Sequence, residues 1–154
     1  MAPYIKEGMR VLDLGCGPGF FTIDIARMVG RSGRVIATDL QEGMLVRVKD
    51  KIRYTELADR ISLHRCKENT IGLSVQVDFV LAFYMVHEVP DQEGLFDELA
   101  TLLKPGGQVL VVEPPIHVSR HAFADTIGKA RAAGFIPVER PSIFLSKAVV
   151  LKKG

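Results

Sequence analysis

The sequence predicts an α/β fold in which a mostly parallel β-sheet is covered by helices on both faces. Runs with strand propensity alternate with runs of helical periodicity along the chain, which is the pattern of a doubly wound sheet. The run VDFVLAFYMV is almost continuously apolar, as expected of a central strand that is buried on both sides. Both observations favour parallel strands that are connected by helices.

The first half of the chain divides into three strands and two helices. Apolar residues at helical spacing predict each helix, and Gly30 marks the end of the first one. The predicted elements are a strand over residues 10–14, a helix over 20–29, a strand over 34–38, a helix over 41–58 and a short strand over 61–65.

The second half continues the alternation. The predicted elements are a strand from residue 79 to 82 or 83, a helix over 91–103, a turn over 104–107, a strand over 108–113, a helix over 119–133, and strand-like runs over 136–138 and 143–151. We expect the last two runs to form a hairpin at the edge of the sheet.

Composition limits the classes of protein to consider. The 154 residues fit one domain, residues 1–154, and 47% hydrophobic with 25% charged residues is ordinary for a globular fold. A net charge of +2 disfavours nucleic acid as a partner, because nucleic-acid-binding domains usually carry a basic patch. No run approaches the roughly 18 apolar residues of a membrane span. Cys16 and Cys66 show no metal-ligand spacing, so we expect free thiols, no metal site and a cytoplasmic location.

The stretch VLDLGCGPGFFT places three alternate glycines between a strand and a helix. Gly15, Gly17 and Gly19 allow positive φ or close approach of a ligand to the backbone. A dinucleotide-binding loop has the spacing G-x-G-x-x-G, and here Phe20 occupies the position of the third glycine. The loop therefore predicts a cofactor site and argues against a nicotinamide dinucleotide.

Asp39 follows the second predicted strand, about 20 residues beyond the glycine loop. An acidic side chain there can accept hydrogen bonds from both hydroxyls of a ribose, which indicates an adenosine-containing ligand. Capping of the next helix is an alternative role, and the two roles are compatible.

Four segments together resemble the class I S-adenosylmethionine-dependent methyltransferases: VLDLGCGPG, VIATDL, VDFVLAFYMVHEV and LKPGG before a strand. The resemblance extends over nearly the whole chain and is greatest to the small-molecule group that includes the quinone-biosynthesis methyltransferases. It implies a Rossmann-like, seven-stranded sheet with an antiparallel C-terminal strand, S-adenosylmethionine as cofactor and S-adenosylhomocysteine as product.

The resemblance also implies which residues bind the cofactor. The glycines would approach the methionine moiety, with Asp13 organising the loop and the cofactor's amino group, and Asp39 would hold the ribose hydroxyls. The residues after the third strand would contact the adenine, although Lys67 cannot accept a hydrogen bond from the adenine amine. The full predicted set is Asp13, Gly15, Cys16, Gly17, Gly19, Asp39, Leu40, Cys66, Lys67, Ala82 and Phe83.

Two histidines are candidate bases. The sulfonium of S-adenosylmethionine already activates the methyl group, so a base is needed only to deprotonate an oxygen or nitrogen acceptor. His87 and His117 follow the fourth and fifth strands, at the sheet edge where such folds bind ligands. Each is alternatively a hydrogen-bonding residue in the pocket wall.

The sequence therefore predicts methyl transfer to a small organic acceptor. The alternatives are a methyltransferase acting on a protein or RNA, and a module that binds S-adenosylmethionine without turnover. Few residues precede the first strand and the loop after the fifth strand is brief, so we expect an open acceptor side. A large acceptor, a second subunit as in a homodimer, or a covering N-terminal segment outside this sequence would each explain it.

Overall fold

The computed structural model describes residues 1–154 and contains seven strands and four α-helices. In chain order the elements are β1 (Arg10–Leu14), α1 (Thr22–Val29), β2 (Arg34–Asp39), α2 (Glu42–Ile52), β3 (Ile61–Arg65), β4 (Val77–Phe83), α3 (Gln92–Leu102), β5 (Leu103–Glu113), α4 (Arg120–Ala132), β6 (Phe135–Glu139) and β7 (Lys147–Lys153).

All seven strands belong to one sheet with the order β3-β2-β1-β4-β5-β7-β6. Strands β1 to β5 pair in parallel, and β7 pairs antiparallel with both β5 and β6. The chain moves outward from β1 to β3 and then crosses to β4 on the other side of β1, so the switch point lies between β1 and β4. Ligands bind at such points in open α/β sheets. The predicted fold class, including the terminal hairpin, is confirmed.

The sheet separates two apolar cores. Side chains of α1 and α2 pack with Val11, Phe79 and Leu81 on one face. Those of α3 and α4 pack with Leu12 and Val80 on the other face. Because neighbouring residues of a strand point to opposite faces, the apolar run of β4 supplies both cores.

The second helix is shorter than predicted. It ends at Ile52, and a separate 3₁₀ turn follows at Glu56–Asp59. Tyr54 lies between them with φ of 63°, a left-handed conformation that interrupts a right-handed helix. The apolar periodicity continues across this break, which is why it suggested one helix to residue 58.

The segment 104–107 is a bulge within a strand and not a separate turn. Helix α3 ends at Leu102, close to the predicted end, and β5 begins at once with Leu103 paired to Val77. The next pair is Phe79 with Gln108, so the extra residues on β5 bulge out around Gly106, whose φ is 78°. Only a residue without Cβ adopts that conformation readily.

The helix termini of the second half carry side-chain caps. Asp91 accepts a hydrogen bond from the backbone N–H of Gly94 at the start of α3, and Ser119 accepts one from Ala122 at the start of α4. The final strand begins at Lys147, later than predicted, because residues 143–146 form a turn in which Leu145 has φ of 56°.

Candidate functional site

The glycine loop lies at the carboxyl edge of β1, beside the switch point. Gly15, Gly17 and Gly19 have φ of 69°, 57° and 92°. The loop is tied to the sheet because the N–H of Cys16 donates to the carbonyl of Thr38 at 2.8 Å. A Cβ on Gly15 would lie 3.1 Å from Met85, and one on Gly19 would lie 3.1 Å from Val48.

Gly17 differs from the other two glycines. A Cβ added there would meet no atom within 4 Å. The residue lines a cleft, so packing within the protein does not explain the missing side chain. The open space beside Gly17 can instead admit a ligand.

Asp39 connects the end of β2 to this loop. Its Oδ2 accepts a hydrogen bond from the N–H of Gly17, and its Oδ1 accepts one from the N–H of Gln41, both at 2.9 Å. Each carboxylate oxygen keeps a further lone pair that can accept another hydrogen bond. Asp39 thus supports the start of α2 and the loop, and it also lines the cleft.

Asp13 lies beneath the loop and is 3% exposed. Its Oδ2 accepts a hydrogen bond of 2.7 Å from the hydroxyl of Thr22, the first residue of α1. Burial raises the pKa of Asp13 to about 6; the Thr22 hydrogen bond opposes this rise and the charge of Asp39 adds to it. A cation placed beside Asp13 would favour its ionised form.

Three adjoining cavities make up the cleft. The main cleft, of about 340 Å³, is lined by Gly15, Gly17, Asp39, Met85 and Glu88 among others. A narrow slot of about 70 Å³ lies between Leu14, Leu40, Cys66, Met85 and Val89, and its mouth carries Lys67, Glu68 and Asn69. The aromatic pocket, of about 580 Å³, is lined by Asp13, Gly15, Cys16, Gly17, Phe20, Phe21, Phe83 and Tyr84.

The aromatic pocket has a wall of packed rings. The ring of Phe83 lies 4.5 Å from that of Phe21 and 4.3 Å from that of Tyr84, measured between centroids. The one ionisable carboxyl group in its lining is Asp13, which is buried and bonded to Thr22. An apolar or aromatic surface suits this pocket better than a charged one.

Glu98 of α3 holds the loop that follows β3. Its carboxylate accepts hydrogen bonds from the hydroxyl of Thr70 at 3.0 Å, the N–H of Ile71 at 2.9 Å and the N–H of Gly72 at 3.1 Å. This loop forms one side of the slot. Glu98, which itself lines the slot from α3, therefore holds this loop in position.

The two candidate bases have different surroundings. His87 lies in a 3₁₀ turn, Val86–Glu88, after β4, and its Nδ1 is 3.2 Å from Oε1 of Glu113 at the end of β5. His117 is exposed in the loop after β5. The structure therefore pairs His87 with a buried carboxylate and leaves His117 in solvent.

The two cysteines are protonated thiols at neutral pH. Burial, together with the charges of Asp13 and Asp39, raises the pKa of Cys16 to about 12. Burial also raises the pKa of Cys66. A thiolate is the reactive form, so neither residue is suited to act as a nucleophile.

The structure brings most of the predicted site residues to one cleft. Its cavities are lined by Asp13, Gly15, Cys16, Gly17, Asp39, Leu40, Cys66, Lys67 and Phe83. Gly19 and Ala82 are buried in packing and line none of the three cavities.

Sequence reasoning did not find Met85 or Glu98. Met85 lines two of the cavities and contacts the position of a Gly15 Cβ, but a methionine after an apolar strand gives no distinctive signal. Glu98 is one of several acidic residues of α3. Only its distance from the loop after β3 reveals its role.

The fold agrees with comparisons to known proteins. Residues 11–107 match the family model of the methyltransferase domain. The chain therefore belongs to the methyltransferase domain family, and its architecture is that of the class I S-adenosylmethionine-dependent methyltransferases. The family resemblance drawn from the sequence is confirmed.

Two curated relatives of the chain are demethylmenaquinone methyltransferases. The chain is 34% identical over 122 residues to a demethylmenaquinone methyltransferase of Lactococcus lactis, covering 75% of this chain and 47% of the relative. A demethylmenaquinone methyltransferase of Bacillus cereus is 32% identical over 112 residues, covering 71% and 46%. The chain thus spans about half the length of the curated relatives it matches.

Among solved structures, a SAM-dependent methyltransferase from Aquifex aeolicus superposes with a TM-score of 0.86. It is 26% identical, and the match covers 96% of this chain and 84% of that one.

None of the helices of the present structure has the length and apolar character needed to cross a membrane.

Proposed function

We propose that this chain binds S-adenosylmethionine in the cleft and transfers its methyl group to a small organic acceptor, leaving S-adenosylhomocysteine. The observation that carries the proposal is the space beside Gly17. Gly17 has φ of 57°, a Cβ added to it would meet no atom within 4 Å, and it lines a cleft next to the carboxylate of Asp39 at the end of a parallel strand.

The residues of the cleft fit the parts of this cofactor. Asp39 keeps free lone pairs for the ribose hydroxyls, and the buried carboxyl of Asp13 suits the positive charge of the amino group. Leu14, Leu40 and Met85 offer an apolar slot for the adenine. Glu68, at the mouth of the slot, supplies the hydrogen-bond acceptor for the adenine amine that Lys67 cannot provide.

When bound, S-adenosylmethionine supplies a methyl group that its sulfonium has already activated. The protein must then align the acceptor and exclude water. The rings of Phe21, Phe83 and Tyr84 give a flat apolar wall for this alignment. His87 is the proposed base, because its ring is held in place, whereas His117 is exposed to solvent and is the weaker candidate.

The aromatic pocket favours an uncharged aromatic acceptor over a highly charged one. Demethylmenaquinone, in the name of both relatives, is the first compound to test. The small-molecule function is preferred to an RNA-directed one because no lysine or arginine lines the aromatic pocket, and Lys51, beside Phe20, donates a hydrogen bond to the carbonyl of Pro18. Homodimer formation and a cytoplasmic location remain predictions from the sequence.

Calorimetric titration with S-adenosylmethionine, S-adenosylhomocysteine and NAD in parallel tests the cofactor. We expect micromolar binding of the first two and none of NAD. Transfer of a radiolabelled methyl group to reduced demethylmenaquinone, or to 1,4-dihydroxynaphthalene as a tail-free probe, then tests the acceptor class. Binding without transfer to either probe would contradict the acceptor, and no binding of S-adenosylmethionine would contradict the function itself.

A further inference from the structure

Glu113 is a buried carboxylate that packing does not account for. It is fully buried at the end of β5, where β7 covers it through the pair Glu113 with Lys147. Its Oε2 is the only buried side-chain oxygen or nitrogen atom without a hydrogen-bond partner. Burying an incompletely satisfied carboxylate is costly, and an apolar side chain of similar size would remove that cost. Stability alone therefore gives no reason for a carboxylate at this position.

Its one side-chain partner is the imidazole of His87. The two residues follow neighbouring strands, and Oε1 of Glu113 lies 3.2 Å from Nδ1 of His87. An ionised carboxylate can only accept a hydrogen bond, so Nδ1 must carry the hydrogen. In the neutral imidazole this leaves a lone pair on Nε2, the nitrogen that a base uses.

The free nitrogen lies near Glu88, a residue of the cleft. His87 Nε2 is 3.8 Å from Oε1 of Glu88, and Glu88 lines the main cleft together with Gly15 and Gly17. The His87 side chain is 25% exposed, whereas Glu113 is inaccessible. His87 itself lines none of the three cavities, and its ring connects the buried carboxylate of Glu113 to Glu88 in the lining of the main cleft.

The ionisation of Glu113 depends on this contact. Burial raises its pKa, and the hydrogen bond and charge of His87 oppose that rise, together with the backbone N–H groups of His87 and Val86. The ring therefore favours the ionised form of Glu113, and the ionised carboxylate accepts the hydrogen bond that holds the ring. Protonating the ring at Nε2 would strengthen the interaction, because the imidazolium donates to an ionised acceptor in a poorly solvated place.

We propose that Glu113 is a positioning residue that fixes His87 in the Nδ1–H tautomer, so that Nε2 takes the proton from an O–H or N–H group of the acceptor. The inference rests on the proposed function. The proton moves from the acceptor to Nε2, while the Nδ1–H group keeps its hydrogen bond to Glu113. The imidazolium later returns the Nε2 proton to solvent. Glu88, the other carboxylate beside the ring, is 74% exposed and cannot fix the ring in the same way.

The tautomer can be measured without any substrate. A long-range ¹H–¹⁵N spectrum at a pH well above the ordinary imidazole pKa of about 6.5 distinguishes Nδ1–H from Nε2–H. The sequence contains four histidines, and the His87→Gln variant assigns the signal of His87. We expect Nδ1–H in the wild type and in Glu113→Gln, which keeps an acceptor, but Nε2–H in Glu113→Leu. An Nε2–H wild type, or an unchanged tautomer in Glu113→Leu, overturns the proposal.

Kinetics with reduced demethylmenaquinone or 1,4-dihydroxynaphthalene give a second readout. We expect kcat to fall about 100-fold in His87→Gln, the scale of general-base catalysis. In Glu113→Gln it should fall about 10-fold, the scale of losing the charged hydrogen-bond partner that orients a functional histidine. The KM of the acceptor and the Kd of S-adenosylmethionine should stay within twofold. Glu93→Gln, an exposed change on α3, is the matched control and should keep kcat.

Failure of the inference is distinguishable from failure of the proposed function. If the wild type binds S-adenosylmethionine and methylates a probe, but Glu113→Leu keeps full kcat, the positioning role is wrong and the function stands. If the wild type binds no S-adenosylmethionine, the function is wrong. The tautomer of His87 then still decides whether Glu113 orients the ring.

Discussion

The carboxylate of Asp39 accepts a hydrogen bond of 2.9 Å from the backbone N–H of Gly17, which joins the end of β2 to the middle of the glycine loop. The residues are 22 positions apart in sequence. This bond makes the shape of the loop depend on the same side chain that is proposed to bind ribose. A change at Asp39 should therefore affect both folding stability and cofactor affinity.

Asp39→Ala should weaken S-adenosylmethionine binding by about 1 to 3 kcal/mol, the scale for leaving polar groups without partners. The N–H groups of Gly17 and Gln41 also lose their acceptor, so the free energy of unfolding should fall. Calorimetry and urea unfolding measure the two effects. Asp24→Ala, an exposed aspartate of α1, is the control. Unchanged affinity in Asp39→Ala would remove the ribose assignment.

Gly17→Val should abolish detectable S-adenosylmethionine binding, because its side chain would enter the open space that we assign to the cofactor. The φ of 57° also disfavours a β-branched residue, so a loss of about 1 to 3 kcal/mol in unfolding free energy is expected. Circular dichroism checks that the fold survives. Gly128→Ala, in α4, serves as a control that should keep affinity and gain about 0.5 to 1 kcal/mol in stability. If Gly17→Val bound S-adenosylmethionine with wild-type affinity, the cofactor would bind elsewhere than beside Gly17.

Glu98→Ala should loosen the loop after β3, since Thr70, Ile71 and Gly72 lose their common acceptor. We expect a loss of about 1 to 3 kcal/mol in unfolding free energy. Affinity for S-adenosylmethionine and S-adenosylhomocysteine should weaken equally, because both would occupy the adenine slot. The neighbouring Asp97→Ala is exposed and should change neither quantity. A variant that loses stability but keeps both affinities would separate this loop from the cofactor site.

Asp13 should make stability depend on pH. Its pKa is raised from 3.8 to about 6 in the folded protein, so folding favours the protonated form. The resulting stabilisation is complete below pH 3.8 and is lost as the pH rises through about 6. Relative to Asp13→Asn, which does not titrate, the wild type should lose about 3 kcal/mol over this interval, at roughly 1.4 kcal/mol per pKa unit. Urea unfolding of both proteins across the interval measures the difference, and a constant difference would contradict the prediction.

The sequence was sufficient for the elements whose signals are local. Alternating glycines after an apolar strand and an aspartate after the next strand predicted that these residues would meet at one edge of the sheet, where Gly15, Gly17 and Asp39 line one cleft. The break at Tyr54 was missed since a left-handed tyrosine has no sequence signature. The bulge around Gly106 was read as a turn, because glycine is common in both.

The contacts that organise the site could not be predicted. Glu98 bonds a backbone 27 positions away, and Glu113 contacts a histidine 26 positions away. Each contact depends on the strand order and on the path of a loop, neither of which a single acidic residue reveals. The sequence ranked His87 ahead of His117 as the candidate base, but only from its place after the fourth strand. Both follow strands, and only the structure places one of them beside a buried carboxylate.

The strand order also determines when the site can be completed during synthesis. Strand β7 lies between β5 and β6, although it is the last of the three to leave the ribosome. Until residues 147–153 have emerged, β5 has an unpaired edge and β6 has no partner through which to join the sheet. Glu113 stays uncovered during that interval, because Lys147 is its partner on β7. Until β7 pairs, β5 therefore exposes an apolar edge that can pair with other chains, and the backbone beside Glu113, the proposed partner of His87, is closed only when β7 joins the sheet.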